Sequence, residues 1–598
     1  MSDYLNKTQI NYIANLLHGR IETNEINNSS IRTIINKSDI NDFSKVKVQD
    51  ITSQLKYDFP SEETKTSGIT FTPISVVKYM YDDVLSLNLD YITNYKIADL
   101  SVGNGAFFIG LIILLKEKDP TLSVVNLIEN NLYGYDIMKE NIYFAKLNLY
   151  LIALYYGENP ESINFNLSNV NTLEYFKNKN NVTKFDLIVG NPPYVKQQNI
   201  NKSHREFLLR NFETIKSNYN LYYAFLELSV ELLKENGVSL QLVPNYLLKI
   251  KSAKNLREYL LKDQHIKKIV NFNANKIFSG IDTYSMIIEL SKANNEIEYK
   301  SLPNDTKSLS CLLNTNWKNL PPSNITDDSI NLVDNKEEFL IKQVQSQLFT
   351  LDISTGIATQ KDRLFLIDDT SIVDGKYMTK FFNNRKYLIE KESVVKIYKG
   401  SGQAKNNLNF SYIIFPYFLE NNSAKIKSID YLSKNEPNTH NYFLATKKEL
   451  CERSGINDDD DHWYRYGRTQ SLTRFEPKIL FPTNSLKPNF NLIEDNALFF
   501  NGYAIYGLRG VSLTLDELKA LEIILNSDLT EIFILSTSYF IGSGYVSYQK
   551  KYMEKFTIPF LNSEVTYKIL ELYKSKDLHL LNKYIFKLYG LDYYDFIH

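Results

Sequence analysis

The chain has 598 residues, 43% hydrophobic and 23% charged. That is a globular balance which excludes a disordered chain and leaves room for about three or four domains of ~150 residues. Lys and Arg number 68 against 69 Asp and Glu, a net charge of -1, so a polyanionic partner must be met by a local basic surface rather than by overall charge. Two cysteines, Cys311 and Cys451, exclude a disulfide scaffold and a cysteine-rich zinc module and fit a reducing, cytoplasmic setting. The polar start Met1 to Gln9 is not a signal peptide, and the apolar run 107–115, broken by Gly110, is too short to span a bilayer, so no membrane partner is expected.

In chain order, residues 1–60 are polar with apolar positions Ile10, Tyr12, Ile13, Leu16 and Leu17 at helical spacing, which predicts a short helical extension. From 61 to about 300, strand and helix patterns alternate. Strands are predicted at 97–100, 131–136, 185–189 and 238–243, and helices at 106–116 and 221–234. That alternation predicts an α/β fold with a doubly wound, mostly parallel sheet. Residues 301–345, rich in Asn, Asp, Ser and Pro, predict a connecting segment, and 346–598 a second, mixed α/β domain closing with a helical stretch at 564–589.

In an open parallel sheet ligands bind beyond the carboxyl ends of the strands, so the loops after these strands carry the chemistry. Asp99-Leu100-Ser101-Val102-Gly103-Asn104-Gly105 joins the first strand to its helix, and its glycines permit a tight turn and close backbone approach to a ligand. Asp136 ends the next strand, where an acid can accept hydrogen bonds from ribose hydroxyls. Asn191-Pro192-Pro193-Tyr194 follows the strand at 185–189 directly. Two prolines fix φ, remove two backbone donors and hold the preceding residue extended. An Asn oxygen and a proline carbonyl can then accept both hydrogens of an exocyclic amine, beside the flat face of Tyr194.

These motifs in this order resemble the amino-group class of S-adenosylmethionine-dependent methyltransferases, and more narrowly the gamma-class, TaqI-like DNA adenine-N6 methyltransferases. Supporting matches are Ser67-Gly68-Ile69-Thr70-Phe71-Thr72-Pro73, Tyr222-Tyr223-Ala224-Phe225-Leu226, Val243-Pro244-Asn245, Ile277-Phe278-Ser279, Ser354-Thr355-Gly356-Ile357-Ala358-Thr359 and Tyr466-Gly467-Arg468-Thr469-Gln470. The chain departs from the family at Leu100, where proline is usual, and at Asn171, where an Asp usually bonds the cofactor adenine.

The resemblance implies a Rossmann-like methyltransferase sheet over 61–300 and a C-terminal target-recognition domain over 346–598. It implies S-adenosylmethionine as cofactor, held by Thr72, Pro73, Asp99, Gly103, Gly105, Asp136, Ile137 and Asn171. It makes Asn191, Pro192, Pro193 and Tyr194 the catalytic loop, stacks a flipped adenine between Tyr194 and Phe278, and takes double-stranded DNA as partner. Arg385, Lys386, Arg465, Arg468 and Gln470 are the expected DNA contacts. The enzyme would serve either beside a separate restriction endonuclease or as a solitary epigenetic enzyme. The other readings are a methyltransferase of a glutamine side chain or an RNA guanine amine, which use similar loops, and a catalytically silent DNA-specificity subunit. The acidic run Asn457-Asp458-Asp459-Asp460-Asp461-His462 lacks ligand spacing and reads as an exposed loop, with no metal expected.

Overall fold

In the computed structural model the short apolar run Ile97–Asp99 is strand β1, at the heart of an open sheet. The structure describes residues 4–38, 46–58, 72–85, 89–273, 275, 284–302, 310–313, 315–326, 328–401, 409–420, 423–456, 460–541 and 544–596. The chain divides into two units, Met1–Leu332 and Val333–His598.

The first unit holds a sheet of nine strands among the described residues, ordered β3-β2-β1-β4-β5-β7-β6-β8-β9. The strands are β2 (Leu132–Asp136), β3 (Asn166–Asn169), β4 (Phe185–Gly190), β5 (Leu233–Pro244), β6 (Ile266–Asn271), β7 (Ser285–Leu290), β8 (Glu298–Ser301) and β9 (Lys318–Asn319). β3, β2, β1, β4 and β5 run parallel, while β7 lies antiparallel to both β5 and β6. The helices used below are α1 (Lys7–Leu17), α2 (Ser29–Ile35), α3 (Ile51–Gln54), α4 (Ile74–Tyr79), α5 (Ala106–Lys118), α6 (Lys139–Tyr155), α7 (Thr172–Lys177) and α8 (Tyr222–Glu231).

Alternate strand residues serve opposite faces. Ile97, Leu132, Leu187, Val189 and Leu240 join α5 and α6 in one core. Ala98, Tyr135, Phe185 and Ile188 join α8 in the other. Strands covered on both faces have no polar side to show, which is why they read as unbroken apolar runs. The N-terminal helices belong to the first core: Ile13, Leu16 and Leu17 of α1 and Ile31 and Ile34 of α2 share it with Phe108 and Leu111 of α5.

Three stretches differ from the sequence pattern, and the first is the expected connection over 301–345, which carries β9 and a helix at Asn335–Gln345 whose N-terminus Asp334 caps. The helix expected over 221–234 ends at Glu231, because Leu233 pairs with Phe185 and opens β5. The closing helical stretch is two helices, Ser563–Lys574 and Leu578–Leu588. Lys576 takes φ 60 between them, and Asp577 caps the second by accepting from the Leu580 N–H. A left-handed residue ends the first helix.

The second unit has an antiparallel sheet ordered Asn491–Ile493, Lys478–Phe481, Tyr503–Leu508, Phe349–Thr355, Thr557–Ile558. It shares a core with Leu521, Ile524, Phe533 and Ile585 of the C-terminal helices. A second core joins Met378 and Ile389 of a hairpin to Tyr442 and Phe443 of helix Pro437–Cys451. Among the described residues no helix is long and apolar enough to cross a membrane.

Candidate functional site

β1 has β2 on one side and β4 on the other. The chain order reverses there, and an open α/β sheet forms its ligand crevice outside the carboxyl ends of the strands at such a point. The two sharpest sequence motifs, the glycine loop after β1 and the diproline loop after β4, are brought together at this edge. The Ser101 hydroxyl donates to the Asn191 carbonyl at 3.3 Å.

The glycine loop is set by its backbone. Gly103 (φ 53) and Gly105 (φ 87) both lie in the left-handed region, and Gly105 precedes the first turn of α5. A side chain is strained in that region, so glycine is required. The Gly103 N–H donates to Asp136 Oδ2 at 2.9 Å, the Met138 N–H to Asp136 Oδ1 at 2.8 Å, and the Asn141 amide to both oxygens at 3.2 Å. These bonds occupy a carboxylate's roughly four acceptor sites, so Asp136 ties the loop to β2. A ribose hydroxyl would have to exchange with one of these donors. Burial pushes the Asp136 carboxyl above its ordinary range, and the three donor groups oppose that shift. The next residue, Ile137, is 65% exposed at the carboxyl end of β2, an apolar surface suited to a planar ring. Asn171 precedes α7, and its side chain makes no cap hydrogen bond.

Asp99 is fully buried, and burial pushes its carboxyl up to about 8, the nearby Asp136 adding to the rise and the Ser101 N–H opposing it. That N–H donates to Asp99 Oδ1 at 2.9 Å, and Oδ2 has no partner among the described residues. The last residue of β4 must be glycine beside it: a Cβ on Gly190 would lie 2.9 Å from Asp99 Oδ1 and 3.4 Å from Gln241 Oε1.

The diproline loop leaves two oxygens without a donor among the described residues. The Asn191 amide nitrogen donates to Thr72 Oγ1 at 3.2 Å, which fixes the amide plane. Its Oδ1 is buried and has no partner, and no hydrogen bond reaches the Pro192 carbonyl among the described residues. A buried acceptor left unmade costs on the order of 1–3 kcal/mol, so such a group in a native loop calls for a ligand or a solvent partner. Tyr194 is half-buried. Its hydroxyl donates to the Leu242 carbonyl at 3.0 Å, its ring meets Tyr222 edge-on at 5.8 Å, and burial raises its phenol well above the ordinary value. Thr72 and Pro73 precede α4. Phe278 lies outside the described residues, as do residues 67–71.

In the second unit, Ser354–Thr359 and Tyr466–Gln470 come together across more than a hundred residues of sequence. Ala358 bridges to Arg468, Ser354 Oγ meets Ser471 Oγ at 2.6 Å, and the Gln470 amide donates to the Gly356 carbonyl at 3.4 Å. The buried Arg453, which sequence reasoning missed, holds this region from beneath: it donates to the Thr359, Trp463 and Arg465 carbonyls at 2.8, 2.6 and 2.7 Å. Arg468 and Gln470 are exposed. Arg465 is half-buried, paired with Asp460 and donating to the Gly455 carbonyl. Asp460 belongs to the acidic run whose first three residues lie outside the described residues. Its carboxyl is held below the ordinary range by Arg465. Arg385 and Lys386 are exposed at the end of hairpin Tyr377–Phe382/Arg385–Glu390, whose turn residues Asn383 (φ 48) and Asn384 (φ 60) adopt the left-handed pair that a two-residue turn needs.

Comparison with known proteins fits this geometry. Residues 130–278 match the model of the Eco57I restriction-modification methylase family. The type II restriction enzyme and methyltransferase RM.Eco57I of Escherichia coli is 23% identical over 319 residues, which is 48% of this chain and 31% of that protein. The chain thus spans about a third of that relative. The type II methyltransferase M.BstVI of Geobacillus stearothermophilus is 20% identical over 530 residues, 82% of this chain and 90% of its own. The solved type IIL restriction-modification enzyme MmeI shares the fold with a TM-score of 0.60, at 13% identity, over 98% of this chain and 88% of that one. With its parallel sheet, glycine loop and diproline loop in this order, the chain is similar in sequence and fold to restriction-modification methyltransferases.

Proposed function

We propose that this chain methylates the N6 amine of an adenine flipped out of duplex DNA at a specific site. The carrying observation is the pair of acceptors at the switch point, Asn191 Oδ1 and the Pro192 carbonyl, the first buried and both without a donor among the described residues. The crevice fits the cofactor: Ile137 offers an exposed apolar surface, the Asn171 side chain is not used as a cap, and Asp99 keeps an unpartnered oxygen. S-adenosylmethionine supplies a methyl carbon on a sulfonium, whose S–C bond breaks with its electron pair passing to sulfur as the N–C bond forms.

The protein's own part is positioning and charge stabilisation. An adenine amine is a poor nucleophile because its lone pair is delocalised into the ring. Asn191 Oδ1 and the Pro192 carbonyl would accept its two N–H bonds and favour a localised lone pair. Positive charge growing on the nitrogen strengthens both bonds in the transition state, and such differential binding raises kcat. Holding donor and acceptor in line is worth up to about 7–11 kcal/mol. No base is needed before transfer, since the proton leaves the amine afterwards.

A base inside the duplex cannot reach this loop, and extruding it costs a few kcal/mol. Tyr194, oriented by its bond to the Leu242 carbonyl, is the stacking partner, and each stacked base gains about 1–3 kcal/mol. Arg385, Lys386, Arg468 and Gln470 are the candidates for DNA contact, and Arg465, already paired, is the least available of the set. With 2-aminopurine at the target position, Tyr194→Ala is expected to reduce the fluorescence rise on binding; an unchanged rise would remove Tyr194 from base capture. The chemical assignment is tested by nucleoside mass spectrometry of DNA from a methylation-free host producing the chain. N6-methyladenine is expected, and N4-methylcytosine or unmodified DNA would contradict the proposal.

A further inference from the structure

The glycine loop is held from outside the sheet. Asn104, between Gly103 and Gly105, is 1% exposed, and its amide nitrogen donates to the carbonyls of Thr52 and Leu55 at 2.5 and 3.2 Å. These carbonyls belong to the end of α3, a short helix of the N-terminal extension. The last carbonyls of a helix have no intrahelical donor and must find one elsewhere. Here three side-chain amides supply it. Asn148 of α6, 0% exposed, donates to the Leu55 carbonyl at 3.1 Å and also to the Asn104 carbonyl at 2.9 Å. Gln9 of α1, 5% exposed, donates to the carbonyls of Gln54 and Lys56 at 3.2 and 2.7 Å. The Gln9 amide is itself fixed, because its Oε1 accepts from the Asn6 N–H in a capping box.

We infer that the N-terminal extension is a latch for the cofactor loop, with Asn104 as the positioning residue that couples them. The latch acts on the loop's shape and touches no substrate. Gly103 and Gly105 take backbone conformations that leave the loop free to sample others when it is released. Asn104 pins the residue between them on one side, while the Gly103 bond to Asp136 pins the loop on the other. A loop held in its bound shape binds without the ordering cost that a loose one carries. Cofactor affinity therefore depends on residues far from the crevice, down to Gln9.

This inference rests on the proposed S-adenosylmethionine site, and binding without DNA separates the two. The test is isothermal titration of the full chain with sinefungin, alongside steady-state kinetics. For Asn104→Ala the dissociation constant and the KM for S-adenosylmethionine should rise about tenfold, while kcat at saturating cofactor and the KM for DNA stay within twofold. Gln9→Leu, which leaves the glycine loop's sequence intact, should shift both cofactor constants in the same direction by less. If Asn104→Ala does not fold, Gln9→Leu carries the test alone. A folded variant with wild-type cofactor affinity overturns the latch. A wild-type chain that fails to bind sinefungin overturns the cofactor site itself.

Discussion

Asn191→Ala should lower kcat by about a hundred- to a thousandfold, the scale of removing one preorganised group that meets developing charge. Cofactor binding and DNA binding should change by less than about twofold. The reason lies in where the side chain's two ends go. The amide nitrogen is spent on Thr72, and the oxygen meets no partner among the described residues. Removing the side chain therefore breaks one partly buried hydrogen bond in the fold, while it deletes half of the acceptor pair. Single-turnover methyl transfer with saturating DNA and cofactor measures this directly. A large loss of DNA affinity with unchanged turnover per bound complex would reassign Asn191 to binding.

The second large effect concerns Asp99. Its carboxyl is pushed up to about 8 in the folded chain, against 3.8 when unperturbed, chiefly by burial. Between about pH 4 and pH 8 the folded state holds a proton that the unfolded chain has lost. The native state then binds more protons, so stability falls as pH rises through that window and levels off above it. One unit is worth about 1.4 kcal/mol, which makes the cost a few kcal/mol by pH 8. Asp99→Asn removes it. The variant should melt higher than the wild type at pH 8, and the difference should vanish near pH 4. Glu227 and Asp136, also raised by burial, leave a residual slope in both proteins.

The same substitution should weaken S-adenosylmethionine binding. The cofactor is cationic, and a carboxyl with an unpartnered oxygen at the ligand crevice is stabilised in its ionised form by a nearby cation. Wild-type binding should tighten as pH rises toward 8, and the Asn variant should lose that dependence. Calorimetric melting and cofactor titration across pH 5–9 read both effects. Equal melting curves at pH 8 would show that Asp99 is ionised in the folded chain. If both effects are found, stability is given up at a buried acid that serves binding, a familiar trade at functional positions.

The sequence patterns that read well are those with local causes. β1, β2 and β4 are short apolar runs because each is covered on both faces, and the glycine and diproline loops follow their strands directly. The helix before β5 was overrun to residue 234 because Leu232 and Leu233 satisfy helical and strand patterns alike, and pairing with Phe185 decides between them. The insertion of antiparallel β7 between β5 and β6 is a matter of long-range pairing and left no local signature. At the site, the motif residues were legible, while their hydrogen-bond partners were not. Asp136 suggested a ribose ligand by position, yet its bonds brace the glycine loop. The Thr72 contact that orients Asn191 crosses more than a hundred residues, and the amide donors on α3 come from three separate elements. Side chain to backbone bonds of that kind carry no spacing rule. Arg453 is of the same type, since a buried arginine bonded to carbonyls looks in sequence like any surface charge.

The central claim is that Asn191 Oδ1 and the Pro192 carbonyl together hold the amine that receives the methyl group. A crystal structure of the chain with sinefungin and a duplex carrying its site tests it most directly. The account predicts an extruded adenine against Tyr194, its N6 within about 3 Å of both oxygens, a normal hydrogen-bond distance. An adenine left in the duplex, or an extruded base whose amine meets other acceptors while Asn191 Oδ1 stays unpartnered, would contradict it.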